Sequence, residues 1–128
     1  MSRPFVATLA LIVAIAGPAA SAAPKAPPKA TPAGPALDCV QLNAIRDTRV
    51  RDDRTIDFVM TNGKIYRNTL PNACPGLGFE QSFSYATSLS QLCSVDIITV
   101  LRRGGGMMRG ASCGLGTFQP VTLPDPKR

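Results

Sequence analysis

The chain has 128 residues, among them 12 prolines, 11 glycines, four cysteines and no histidine, with a formal charge of +6. That length suits one domain, and without histidine every Ser–His, Cys–His or histidine-ligated metal mechanism is excluded. Nucleic acid is not expected as a partner: from Asp38 to Leu123 nine basic residues oppose seven acidic ones, leaving 9 − 7 = +2, and acids interleave with the arginines between Arg46 and Asp57, whereas a nucleic-acid footprint needs clustered cations with stacking aromatics.

At the N-terminus, Met1, Ser2 and Arg3 form a short positive segment before the apolar run Phe5 to Ala16, which Gly17-Pro18 ends. Ala20-Ser21-Ala22 then offers the small residues a signal peptidase accepts, so residues 1–22 are expected to be a signal peptide cleaved after Ala22. A spanning helix needs about 20 apolar residues, so no transmembrane anchor should survive cleavage. A periplasmic or secreted product follows. Residues 23–37 are rich in Ala and Pro and include Lys25 and Lys29; the expectation is an extended tether, either a passive spacer or a contact for an anionic surface. The tail 124–128 is too short and Pro-rich to fold.

Residues 38–123 remain as a small β domain. Cys39 to Val50 fits neither strand nor helix period cleanly, though Thr48 to Arg51 leans to strand, and Val50-Arg51-Asp52-Asp53-Arg54 has turn composition. Thr55 to Met60 alternates, with Ile56, Phe58 and Met60 on one face, and Asn62-Gly63 turns the chain into a second strand, Lys64 to Leu70. A two-residue loop would set Phe58 opposite Arg67. A three-residue loop with Gly63 in the left-handed region sets Phe58 opposite Tyr66 and Asp57 opposite Arg67, pairing like with like, and is preferred.

Cys74-Pro75-Gly76-Leu77-Gly78 reads as a tight corner, Ser88 to Leu92 as a short capped helix, and Ser94 to Leu101 as a central strand opened by Asp96. Arg102 to Gly110 reads as a flexible hairpin loop rather than a phosphate cradle, since it lacks the lysine and the strand-to-helix context. Ala111 to Thr122 reads as one final strand. The class is therefore mainly β: a small antiparallel barrel or curled sheet of five to six short strands, with a β-sandwich as the alternative.

Cys39, Cys74, Cys93 and Cys113 lie 34, 18 and 19 residues apart (74 − 39 − 1, 93 − 74 − 1, 113 − 93 − 1). Zinc ligands usually come in close pairs, and an even count in an exported chain indicates two disulfides. Of the three possible pairings we expect Cys74 with Cys93 and Cys39 with Cys113.

The motifs Asp52-Asp53-Arg54-Thr55-Ile56, Tyr66-Arg67-Asn68-Thr69-Leu70, Cys74-Pro75-Gly76-Leu77, Leu92-Cys93-Ser94-Val95-Asp96 and Cys113-Gly114-Leu115-Gly116 together resemble a family of small exported proteobacterial proteins known only as a domain of unknown function. The resemblance covers Asp38 to Val121. It implies a single exported domain with four cysteines and carries no activity, cofactor or catalytic residue. Gly104 to Gly110 has no match in it.

The functional expectation is a non-enzymatic envelope protein, a monomer without metal or cofactor. It would bind an envelope or protein partner through Tyr66, Arg67, Asn68 and Asp96, polar residues set in otherwise apolar strands. The same residues could instead serve as internal hydrogen-bonding groups. A carboxylate-dependent hydrolase using Asp52, Asp53 or Asp96 on an envelope polymer is a second hypothesis, and a protein inhibitor working through the Arg102 to Gly110 loop a third.

Overall fold

A computed structural model of the chain describes residues 4, 10–14, 17, 26–104 and 106–124. Most of the expected signal segment, the first part of the tether and all but the first residue of the tail lie outside the described residues. No helix among the described residues is long and apolar enough to cross a membrane.

Alternating apolar and polar residues produce short antiparallel strands throughout. In chain order they are β1 (Thr31–Pro32), β2 (Cys39–Gln41), β3 (Ile45–Val50), β4 (Thr55–Met60), β5 (Ile65–Thr69), β6 (Phe83–Tyr85), β7 (Gln91–Cys93), β8 (Ile97–Arg103), β9 (Met107–Gly114) and β10 (Phe118–Thr122). A 3-10 turn covers Leu42–Ala44 and one helical turn, α1, covers Leu77–Glu80. A five-stranded sheet runs in the order β1-β10-β5-β4-β3, with a pair β2-β7 and a three-stranded sheet β6-β8-β9 beside it. The expected mainly β class is observed; the sheets do not close into a barrel, and a curled sheet or small sandwich describes them.

Strand β4 is buried along its whole length, because its two faces are covered by different things. Ile56, Phe58 and Met60 point into the main core, together with Val40 of β2, Leu92 of β7, Ile98 and Val100 of β8 and Phe118 of β10. The Phe58 ring meets Phe118 edge-on with centroids 5.3 Å apart. Thr55, Asp57 and Val59 alternate to the opposite face, which we call the outer face.

The β4–β5 hairpin takes the expected register. Phe58 stands opposite Tyr66 and Asp57 opposite Arg67, the Met60 N–H donates to the Lys64 carbonyl at 2.8 Å, and Gly63 has φ 86°. Central strand β8 is also where expected, although Ser94-Val95 forms the turn before it.

Four expectations are corrected. The disulfides join Cys39 to Cys93 and Cys74 to Cys113, because β2 and β7 pair antiparallel with Cys39 directly opposite Cys93. No helix covers Ser88–Leu92; Gln91–Cys93 is strand β7, and the helical turn sits instead at Leu77–Glu80. The last segment is not one strand but two, β9 and β10, lying in different sheets. Finally, the described part of the tether, residues 26–37, lies against the domain. Thr31 and Pro32 pair with Thr122 and Val121 of β10, and Leu37 bridges to Phe118.

Candidate functional site

Three of the four expected binding residues are held by partners within the protein. Arg67 donates from Nε and Nη2 to the two carboxylate oxygens of Asp57, at 2.8 and 2.9 Å, and from Nη1 to the Pro28 carbonyl at 2.7 Å. Asp57, fully buried, also accepts from Arg51 Nε at 2.9 Å. Strand alternation accounts for this cluster: Arg49 of β3, Asp57 of β4 and Arg67 of β5 stand side by side on the outer face, and Arg51 follows directly after β3. Two guanidinium groups thus share one carboxylate.

Asn68, fully buried, clamps the turn between β9 and β10. Its Nδ2 donates to the Gly116 carbonyl at 2.7 Å and its Oδ1 accepts from the Gly116 N–H at 2.8 Å. Asp96 closes the turn between β7 and β8, its Oδ2 accepting from the Cys93 N–H at 2.7 Å. Arg67, Asn68 and Asp96 are therefore not gathered into one open face.

Tyr66 is differently placed. Half-buried on the inner face of β5, it lines two adjoining grooves at the turn end of the hairpin. The larger, of about 610 Å³, has walls from Leu37, Ile65, Val121 and Leu123, prolines Pro35 and Pro120, and the polar side chains of Asn62 and Lys64. The smaller, of about 240 Å³, shares Leu37, Asn62 and Tyr66 and adds Val40 and Met60. An apolar floor with one aromatic and a few polar groups at its rim is the usual composition of a ligand site. Lys64 supplies a cation and Asn62 both a donor and an acceptor. Leu37, Lys64 and Leu123 were not expected here, because the groove forms only when the proline-rich segment returns along β10.

Of the aspartates of the hydrolase hypothesis, Asp52 and Asp53 share the turn between β3 and β4, while Asp96 lies in the turn between β7 and β8. Asp52 Oδ1 accepts from the Arg54 N–H at 2.8 Å and Asp53 Oδ1 from the Gly78 N–H at 2.7 Å. Both line a third groove of about 760 Å³ with Ala26, Pro27, Arg51, Arg54, Gly78 and Phe79; Asp96 lines none of the three grooves. No cluster of three or more His, Cys, Asp or Glu suited to a metal ion exists among the described residues, and both cysteine pairs are disulfides with none free. On the β8–β9 hairpin, Arg102, Arg103 and Arg109 are exposed and make no ion pair among the described residues.

Comparison with protein-family models, curated proteins and solved structures finds no match. The two disulfides fit the four-cysteine pattern of the motifs, and no family model supports the resemblance those motifs suggested.

Proposed function

We propose that this chain is an exported envelope protein, periplasmic or secreted, acting as a monomeric, non-enzymatic binding module whose ligand enters the Tyr66 groove. The observation that carries this reading is the groove itself. It is the place where one of the expected binding residues lines open space, while Arg67, Asn68 and Asp96 serve as internal partners. Two disulfides support export, since such bonds persist in oxidising compartments. The motif resemblance to small exported proteobacterial proteins points the same way.

The lining selects the ligand by chemistry. Leu37, Pro35, Pro120, Val121 and Leu123 favour an apolar group, the Tyr66 ring gives it a flat surface, and Lys64 favours a negative charge at its end. An apolar peptide segment or acyl group with a terminal carboxylate meets all three requirements.

A photo-crosslinking residue placed at position 66, with a control at the exposed edge position 47, tests the reading in the exporting bacterium. One defined adduct at 66 and none at 47, weakened by Lys64→Glu, is the expected result. Equal labelling at both positions, or no adduct at 66, overturns it.

A further inference from the structure

The outer face of β4 is buried without a second sheet on it. Val59 is 3 % exposed and Asp57 fully buried, yet neither belongs to the contacts of the main core. Residues 26–37 form a strap: residues 26–28 cross this face, and residues 31–37 run along its β10 edge. Ala26 and Pro27 stand beside Arg51 and Phe79, the Pro28 carbonyl accepts from Arg67, and Pro32 lies opposite Val121. Further on, the Ala33 N–H donates to the Pro120 carbonyl at 2.8 Å and Gln119 Nε2 donates to the Gly34 carbonyl at 2.7 Å.

The polarity of these contacts defines what the face accepts. Proline carries a carbonyl but no N–H, so a proline-rich chain offers acceptors and few donors. The face answers with side-chain donors, Arg67 Nη1 and Gln119 Nε2, and with apolar ground at Val121 and at Phe79, which is 88 % exposed. A further donor is in place: Arg51 Nη2 is buried and has no hydrogen-bond partner among the described residues. Asp57 fixes both guanidinium groups in position. Proline-rich chains dock elsewhere on aromatic surfaces because they are already extended and lose little entropy on binding.

The strap holds the face loosely. Pro27, Pro28 and Ala30 are half-buried, and every other residue from Ala26 to Asp38 is exposed. Segments with so few buried contacts open at low cost relative to the whole fold.

We propose that this face is a recognition site for an extended proline-rich segment of another exported polypeptide, and that residues 26–37 occupy it as a resident competitor. The second half of the strap and Val121 also wall the Tyr66 groove, but the donors of this face, Arg51, Arg67 and Gln119, do not line that groove. A competitor tethered in cis lowers apparent affinity by the fraction of time it occupies the site, so loosening the strap raises the affinity for a peptide in trans.

A fluorescein-labelled synthetic peptide with the sequence of residues 23–38 provides the probe, titrated by anisotropy into the full oxidised protein up to about 1 mM, the range of tethered effective concentrations. The Pro28→Gly, Pro32→Gly double variant, whose substitutions at a half-buried and an exposed position loosen the strap, is expected to bind the peptide at least about ten-fold tighter than the unaltered chain. A proline-free Gly/Ser peptide of the same length and charge should not bind, Gln119→Ala in the loosened chain should weaken binding several-fold, and Tyr66→Ala should leave it unchanged. Equal affinity for the loosened and unaltered chains overturns the proposal, as does saturable binding of the proline-free peptide or no saturable binding at all. Loss of peptide binding in Tyr66→Ala would place the peptide in the other groove. A dimer of the loosened chain that the peptide cannot dissolve would assign the face to a second copy, and either result overturns the proposal.

Discussion

Asp57 of β4 and Arg67 of β5 face each other across the hairpin and are joined by two parallel hydrogen bonds, with the carboxylate fully buried and the guanidinium side chain 13 % exposed. Burying a pair of charges is not in itself strongly stabilising, but removing one partner leaves the other desolvated and uncompensated. Here the asymmetry is sharper, because Asp57 also holds Arg51.

Asp57→Asn should therefore lower the unfolding free energy by about 3–5 kcal/mol. Urea unfolding monitored by circular dichroism would show this as a midpoint about 2 M lower, given the slope usual for a domain of this size. Arg51→Met should cost much less, since Arg67 keeps the carboxylate paired by two bonds. Equal losses for the two variants would show that the pair is not the centre of the cluster.

The disulfide pairing is directly measurable. Proteolysis of the oxidised protein followed by mass spectrometry should return Cys39 linked to Cys93 and Cys74 linked to Cys113. Any peptide joining Cys74 to Cys93 contradicts the fold, because β2 and β7 could not then pair as they do. Sequence separations of 54 and 39 residues make each bond worth about 4 kcal/mol in the chain-entropy description. Replacing either pair by serine should lower the unfolding midpoint substantially, by similar amounts for the two bonds.

Gly63 isolates a backbone effect. Its φ of 86° lies in the left-handed region, and a Cβ added there would meet no atom within 4 Å. Gly63→Ala should thus cost about 1–2 kcal/mol from conformation alone, whereas Gly63→Asn should recover much of that loss, because Asn tolerates the same region. Gly104, which is equally open and outside that region, should accept alanine with no measurable change.

These cases separate what was legible in the sequence from what was not. The β4–β5 hairpin was legible down to its register, because alternation, an Asn-Gly turn and the pairing of Asp57 with Arg67 are local and agree with one another. The cysteine partners were not, since three pairings satisfy the same composition and only the β2–β7 ladder chooses among them. The strap was hidden for a related reason: Ala and Pro carry no periodic signal, and its contacts depend on β10, some ninety residues later in the chain (122 − 31 = 91). Of the site residues, polarity within apolar strands singled out Tyr66, Arg67, Asn68 and Asp96, and the last three hold hydrogen bonds within the protein. It could not tell a residue facing a groove from one clamping a turn.

Asn68 and Gly116 make that last distinction testable. The two are 48 residues apart, and their reciprocal hydrogen bonds carry the chain from the three-stranded sheet back to the five-stranded one. A Cβ on Gly116 would collide with the Thr69 carbonyl oxygen; the Cβ position is fixed by the backbone and the oxygen is itself backbone, so neither can swing aside. Gly116→Ala should consequently destabilise the protein by about 3 kcal/mol or more, the range of severe backbone and packing lesions. Asn68→Ala should cost a similar amount, about 2–4 kcal/mol, because it leaves the Gly116 N–H and carbonyl without their partners in a part-buried turn. Combining the two substitutions should cost clearly less than their sum, since the second acts on a clamp the first has already broken. Strict additivity in a double-mutant cycle, read from urea midpoints, would show instead that the turn is held by something other than Asn68.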